Sequence, residues 1–236
     1  MTGSTPDLAI DRQTPTPAGR SRRTQAQRTA ETRESLIDAA IHAVYRYGYA
    51  GATTAVISDL AGVSRALITH HFGSRAQLMA DVVSTVYELE AVAFLAMEAD
   101  GVRGTRAADF PEMMWEVLSK PASVAVVEIF QATRNDPDLA RLVAPLQQQI
   151  SLRSLDKAHM RFGGIDKAEM LAASRLLVWA IRGLGLAKSL VEDPAELTAS
   201  VLMLRRLVET AVDAGMIVEH LHPKGPGSDA PPEAMS

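Results

Sequence analysis

The chain has 236 residues, 47% of them apolar, no cysteine and a formal net charge of −4; this is enough apolar material for a sizeable core, and disulfides, thiolate metal sites and cysteine nucleophiles are excluded. No uninterrupted apolar run approaches the roughly 20 residues that span a bilayer, and the polar, Pro-rich start lacks the apolar segment of a secretory signal. A folded protein of the cytoplasm, without a membrane partner, is expected. Charge is uneven along the chain: residues 1–75 hold nine Lys/Arg against six Asp/Glu, and residues 76–236 hold fifteen against twenty-two. A basic head before an acidic body suits a head that meets phosphate.

Residues 1–23 are rich in Thr, Pro, Gly and Ser and carry Arg20, Arg22 and Arg23. They read as a disordered basic arm suited to a minor groove or to phosphates, and residues 217–236 read as a disordered tail. Between them strand-like alternation is absent, and Ala, Leu, Glu, Arg and Met dominate. The prediction is all-α, with about nine helices.

Thr24 with Gln27 forms a capping box at the start of the first helix, in which Leu36, Ile37, Ala40, Ile41 and Val44 follow the 3.6-residue period until Gly48 stops it. Thr53 to Ala61 reads as a short amphipathic helix with Ile57 and Leu60 inward. Gly62-Val63-Ser64 then makes a tight turn, and Ser64 caps a helix running from Arg65 to about His71. That helix is too short to persist alone and needs Leu67, Ile68 and Phe72 as a clamp. Arg65, Ala66, Thr69 and His70 are left facing outward, as donors and small side chains do on a helix that enters a major groove.

Ser74 with Gln77, Asp136 before Pro137, Asp166 with Glu169, and Asp193 before Pro194 mark later helix starts. Pro145, inside a helical run, is expected to kink or end its helix. The two last long helices, about Asp166 to Leu190 and Asp193 to Gly215, are apolar over more than one face, which predicts burial within one subunit and against a second copy. The body also carries Trp115, Phe130 and Trp179 as a prospective apolar wall, with Arg134, His159 and Arg182 as polar anchors for an amphipathic or anionic ligand.

His70 and His71 are adjacent and point about 100° apart on a helix, so they do not chelate one ion; no metal and no cofactor are expected. His42, His159, His220 and His222 have no motif around them, and no Ser-His-Asp set, phosphate-cradling glycine loop or zinc spacing is present. Catalysis is not expected.

The stretch Thr32-Arg33-Glu34 with Leu36-Ile37-Asp38-Ala39-Ala40, then Gly48-Tyr49, Thr53, Ile57, Ala61-Gly62-Val63-Ser64 and His70-His71-Phe72-Gly73-Ser74-Arg75 with Leu78, resembles the amino-terminal domain of tetracycline-repressor-type regulators. The resemblance implies a helix-turn-helix DNA-binding domain over 24–73 and a ligand-binding and dimerisation domain over 74–216. It implies phosphate contacts from Thr53, Thr69 and Arg75, with Ser64, Arg65 and His70 at the DNA surface. It further implies a homodimer through a four-helix interface made by the last two long helices, a palindromic double-stranded operator and a small-molecule effector that releases it. Two positions depart from the pattern. Thr69 stands where tyrosine is usual, and Ala66 stands where glycine is frequent and offers a methyl to thymine. The alternative is an all-helical interaction protein or enzyme that keeps the fold without reading DNA.

Overall fold

A computed structural model describes residues 24–99, 104, 106–162 and 166–216, without the side chains of Leu155 and of residues 157–162. Among them are nine α-helices, one 3-10 turn at Ala107–Asp109 and no strand. The helices are α1 (Gln25–Gly51), α2 (Thr54–Ala61), α3 (Arg65–Phe72), α4 (Arg75–Ala99), α5 (Phe110–Leu118), α6 (Pro121–Ala132), α7 (Pro137–Phe162), α8 (Lys167–Ala187) and α9 (Pro194–Asp213). The predicted disordered ends, 1–23 and 217–236, lie outside the described residues.

Most helix starts follow their caps. The Thr24 hydroxyl accepts from the Gln27 N–H at 3.2 Å while Gln27 Oε1 accepts from the Thr24 N–H at 2.8 Å, closing the capping box. Ser74 accepts from the Gln77 N–H at 3.1 Å, Asp136 from Leu139 at 3.0 Å, Asp166 from Ala168 at 2.9 Å and Asp193 from Ala195 at 2.9 Å. Proline opens both α7 and α9. Gly48, at φ +70° and ψ 170°, stops the regular helix as expected, and a further short helical piece runs on across that kink to Gly51. Of the two outcomes expected at Pro145, an early end is overturned: α7 continues through it, so the missing donor costs one internal bond and not the helix. α8 reaches the length and mean hydropathy of a membrane span when Arg175 and Arg182 are counted within it. No uninterrupted apolar run had suggested this.

The largest core is continuous from the amino-terminal helices into the body. It joins Leu36, Ala40 and Val44 of α1, Ile57 of α2, Ile68 and Phe72 of α3, Leu78, Val82 and Val86 of α4, Val126 and Ile129 of α6, and Leu139 and Val143 of α7. A second cluster packs Val117 and Leu118 of α5 against Ile181 of α8 and Val201 of α9. A third places Ala107 and Ala108 against Val208. Arg205 of α9 ties that helix to the 3-10 turn and α5 by pairing with Asp109 and Glu112, and pairs along α9 with Glu209. The three amino-terminal helices thus rest on the body through buried side chains as well as through the chain connection at Ser74.

Candidate nucleic-acid interface

The α2–turn–α3 unit is built by a small number of local devices. Thr53, extended at φ −72° and ψ 161°, caps α2 by accepting from the Val56 N–H at 3.3 Å. Gly62 ends α2 in the left-handed region (φ +67°, ψ 30°), donating to Asp59 and Ser58 carbonyls, and the Val63 N–H closes onto Ser58 O at 3.0 Å. A side chain at that φ is strained, which is why glycine occupies the turn. Ile57 is fully buried under the turn. Leu60, expected inward with it, is exposed: three residues on from Ile57, it lies outside the core at the rim of an open surface groove, facing the α1 residues Glu31, Glu34, Asp38 and His42. Those carboxylates make that side of α1 unfavourable to phosphate.

α3 is held as its pattern predicts. Ile68 and Phe72 are buried and Leu67 is half-buried, while Arg65, Ala66, Thr69 and His70 are exposed. Arg33 of α1 covers the Phe72 ring at 5.1 Å from its centroid and pairs with Asp81 of α4, locking the end of α3 between two long helices. Ser64 occupies the cap position, but its hydroxyl makes no capping bond; its carbonyl accepts from the Leu67 N–H at 3.0 Å instead. The hydroxyl therefore stays on the exposed face beside Arg65. His71 is half-buried, with its ring edge-on to His70 at 5.2 Å.

Thr53, Ser64, Arg65, Ala66, Thr69 and His70 are all exposed; Arg75 alone of the predicted set is half-buried and engaged inside the protein. Its Nε donates to Ala52 O at 2.9 Å, its Nη2 donates to Tyr49 O, and its guanidinium lies 4.0 Å from the centroid of the Tyr49 ring. The Tyr49 hydroxyl in turn donates to Asp136 Oδ2 at 2.6 Å. Burial and that bond push the Tyr49 phenol up to about 12, and the same bond holds the Asp136 carboxyl below its ordinary range.

The six prospective ligand residues do not form one group. Phe130 and Trp179 belong to an aromatic row with Tyr87, at centroid separations of 6.5 Å for Tyr87–Phe130 and 6.1 Å for Phe130–Trp179. Arg182 reaches the same row, 5.3 Å from the Tyr87 ring, but is 2% exposed and bound to both oxygens of Glu90 at 3.3 and 3.0 Å and to Ser123 O at 3.3 Å. Trp115 packs in the α5–α8–α9 cluster under Lys188. Arg134 is exposed in the turn after α6, and the His159 side chain lies outside the described residues. Glu90 has no motif to mark it in the sequence; its signal is a carboxylate four residues from both Val86 and Phe94, on the stripe of α4 that those side chains make apolar, whereas Glu88 lies off that stripe. Desolvation raises its carboxyl above the usual range, with Arg182 opposing the shift.

Residues 36–82 match the family described as bacterial regulatory proteins, tetR family. Over 67 residues the chain is 42% identical to the HTH-type transcriptional regulator CymR and 40% identical to the HTH-type transcriptional regulator TtgR, both of Pseudomonas putida; each match takes in 28% of this chain. The chain covers 33% and 31% of those relatives, about a third of their length. A longer match, 28% identical, joins 83% of this chain to 92% of the HTH-type transcriptional regulator BetI of Rhizobium meliloti (strain 1021). In fold, a member of the TetR family from Streptomyces coelicolor A3 superposes with a TM-score of 0.56 at 21% identity, over 76% of this chain and 97% of that one. The multidrug binding protein EbrR, complexed with imidazole, superposes with a TM-score of 0.54 at 20% identity, over 75% and 93%.

Proposed function

We infer that this chain, which belongs to the tetR family of bacterial regulatory proteins, is a dimeric, sequence-specific DNA-binding transcriptional regulator of the cytoplasm that a small apolar or amphipathic effector releases from a palindromic operator. The observation that carries the reading is the split of α3, with Ile68 and Phe72 buried and Arg65, Thr69 and His70 presented together on the open side. Arg65 is the base reader of the set, because a guanidinium makes paired bonds to guanine O6 and N7. Ala66 offers a methyl, and Ser64 and His70 flank them. Thr53 and Thr69 hold phosphates and set the register.

Support for a dimer comes from α8 and α9, which leave Leu176 71%, Trp179 46%, Met203 51% and Leu207 58% exposed. So large an apolar face on two adjacent long helices suits burial against a second copy, and two α3 helices about one DNA turn apart then read a palindrome. Repression follows from a dimer parked over a promoter. An effector acts only through its differential affinity for the spacing that fits DNA and the spacing that does not.

Selection from a pool of random duplexes at moderate salt tests the reading. Enrichment of one palindrome is expected. Failure to enrich any would overturn it in favour of a helical protein that has kept the fold without reading DNA.

A further inference from the structure

Arg75 follows directly after the α3–α4 turn, and its guanidinium is committed to two carbonyls of the α1–α2 turn, Tyr49 O and Ala52 O. Ala52 precedes Thr53, so Arg75 grips the backbone on which Thr53 stands. Tyr49, whose ring lies under that guanidinium, extends its hydroxyl away from the amino-terminal helices to the cap of α7, where Asp136 accepts from it at 2.6 Å and from the Leu139 N–H at 3.0 Å. One chain of contacts therefore runs from the first turn of a body helix, through a tyrosine and an arginine, to the turn that presents Thr53. Asp136 uses its two oxygens in different directions, one for its own helix and one for the head.

We propose that Asp136 and Tyr49 are positioning residues for the DNA-binding surface: they fix the turn carrying Thr53 to the amino-terminal end of α7, so that the placement of α7 sets the fit of the head on phosphate. Arg75 is the middle of this relay, and its contribution to binding passes through Ala52 and Tyr49. This rests on the DNA-binding reading above. Because the relay acts on a residue that holds phosphate and not on Arg65, breaking it weakens binding to all duplexes alike and leaves sequence preference intact.

The test uses Tyr49→Phe, which removes only the hydroxyl, and Asp136→Ser, which keeps a capping oxygen for α7 but is too short to reach Tyr49. Each variant of the full chain is measured for affinity to the selected palindrome and to a scrambled duplex, and for amide exchange at Ala52 and Thr53. Each is expected to bind both duplexes about fivefold more weakly, the loss of one net hydrogen bond. The double variant should be no weaker than either single one, since both remove the same bond. Exchange should quicken at Ala52 and Thr53, while α8 and α9 are unchanged. Unchanged affinity, an additive double variant, or exchange altered only at the α7 cap would each overturn the proposal. If the unsubstituted chain selects no duplex, the regulator reading fails, and unaltered exchange at Ala52 and Thr53 in the variants would then overturn the relay as well.

Discussion

Removing the carboxylate of Glu90 leaves Arg182 as a charge in the protein interior, 2% exposed, with the Ser123 carbonyl and the face of Tyr87 as its partners among the described residues. Arg182 Nε already has no hydrogen-bond partner among the described residues, so there is no spare acceptor to take over. A buried pair broken at one end loses about 3–5 kcal/mol, most of it the desolvation of the orphaned charge. Glu90→Leu is therefore expected to remove a large part of the stability typical of a folded domain, about 5–15 kcal/mol. Glu90→Leu with Arg182→Met should recover most of the loss, because an apolar pair in the same space carries no desolvation penalty. Urea unfolding of the two single variants and the double variant decides the matter. If the double variant loses the sum of the singles to within about 0.5 kcal/mol, the pair is not energetically coupled and the reasoning fails. The pH dependence supplies a second check. A carboxyl whose folded pKa is raised holds its proton more tightly in the folded state, so its contribution is fully present below the unfolded pKa and is lost as pH rises through the folded one. Glu90→Gln should flatten that fall.

Ile68→Ala, at a site 1% exposed beneath α3, should cost about 2–5 kcal/mol and abolish duplex binding before the rest of the chain unfolds, read by calorimetry beside a binding assay. Gly62→Ala should cost about 1–2 kcal/mol from the positive φ alone, since no atom lies within 4 Å of the added carbon; an unchanged melting temperature would show that the turn does not need glycine. The phenol of Tyr49, raised to about 12, favours the neutral folded form, so its contribution is present below the ordinary tyrosine value near 10 and lost as pH climbs from there to about 12. Tyr49→Phe should remove that alkaline limb from an unfolding series. Arg65→Ala should relax base preference in the selected palindrome by about 1–3 kcal/mol at one position, whereas Thr53→Ala should weaken every duplex equally.

The fold was legible wherever a residue type forces a local geometry. Thr24, Asp166 and Asp193 announce their helices because a short acceptor beside unpaired amides has few other uses, and Gly62 announces its turn because other residues are strained at a positive φ. The outward set on α3 was legible for a related reason: an eight-residue helix needs its apolar side chains for anchorage, and what remains faces out. Leu60 faces out against its periodicity, because periodicity gives a direction around the helix axis and not the width of the surface waiting there. The environments of Arg75 and Arg182 were not legible either. Each depends on a partner far along the chain, Tyr49 and Ala52 for one and Glu90 for the other, and the charge of an arginine is the same whether it meets solvent, a carbonyl or a carboxylate.

On the proposed regulator reading, the continuity of the main core bears on how an effector would act. Were the head joined to the body by a linker alone, a ligand bound among α4, α6 and α8 would move it only through the connection at Ser74. Instead Val126 and Ile129 of α6 and Leu139 and Val143 of α7 share one buried cluster with Leu36, Val44 and Ile57. Packed interiors switch between discrete arrangements because a gap of even half an ångström forfeits contact energy on both sides. A displacement of α6 or α7 must then either carry the head with it or open the core beneath it. The second course costs about as much as emptying a buried side chain, several kcal/mol, while a tenfold change in DNA affinity needs only about 1.4 kcal/mol. Rigid transmission is the cheaper response, so the head is expected to follow the body as one piece, and small movements of α7 would then suffice to change the distance between the two heads of the proposed dimer.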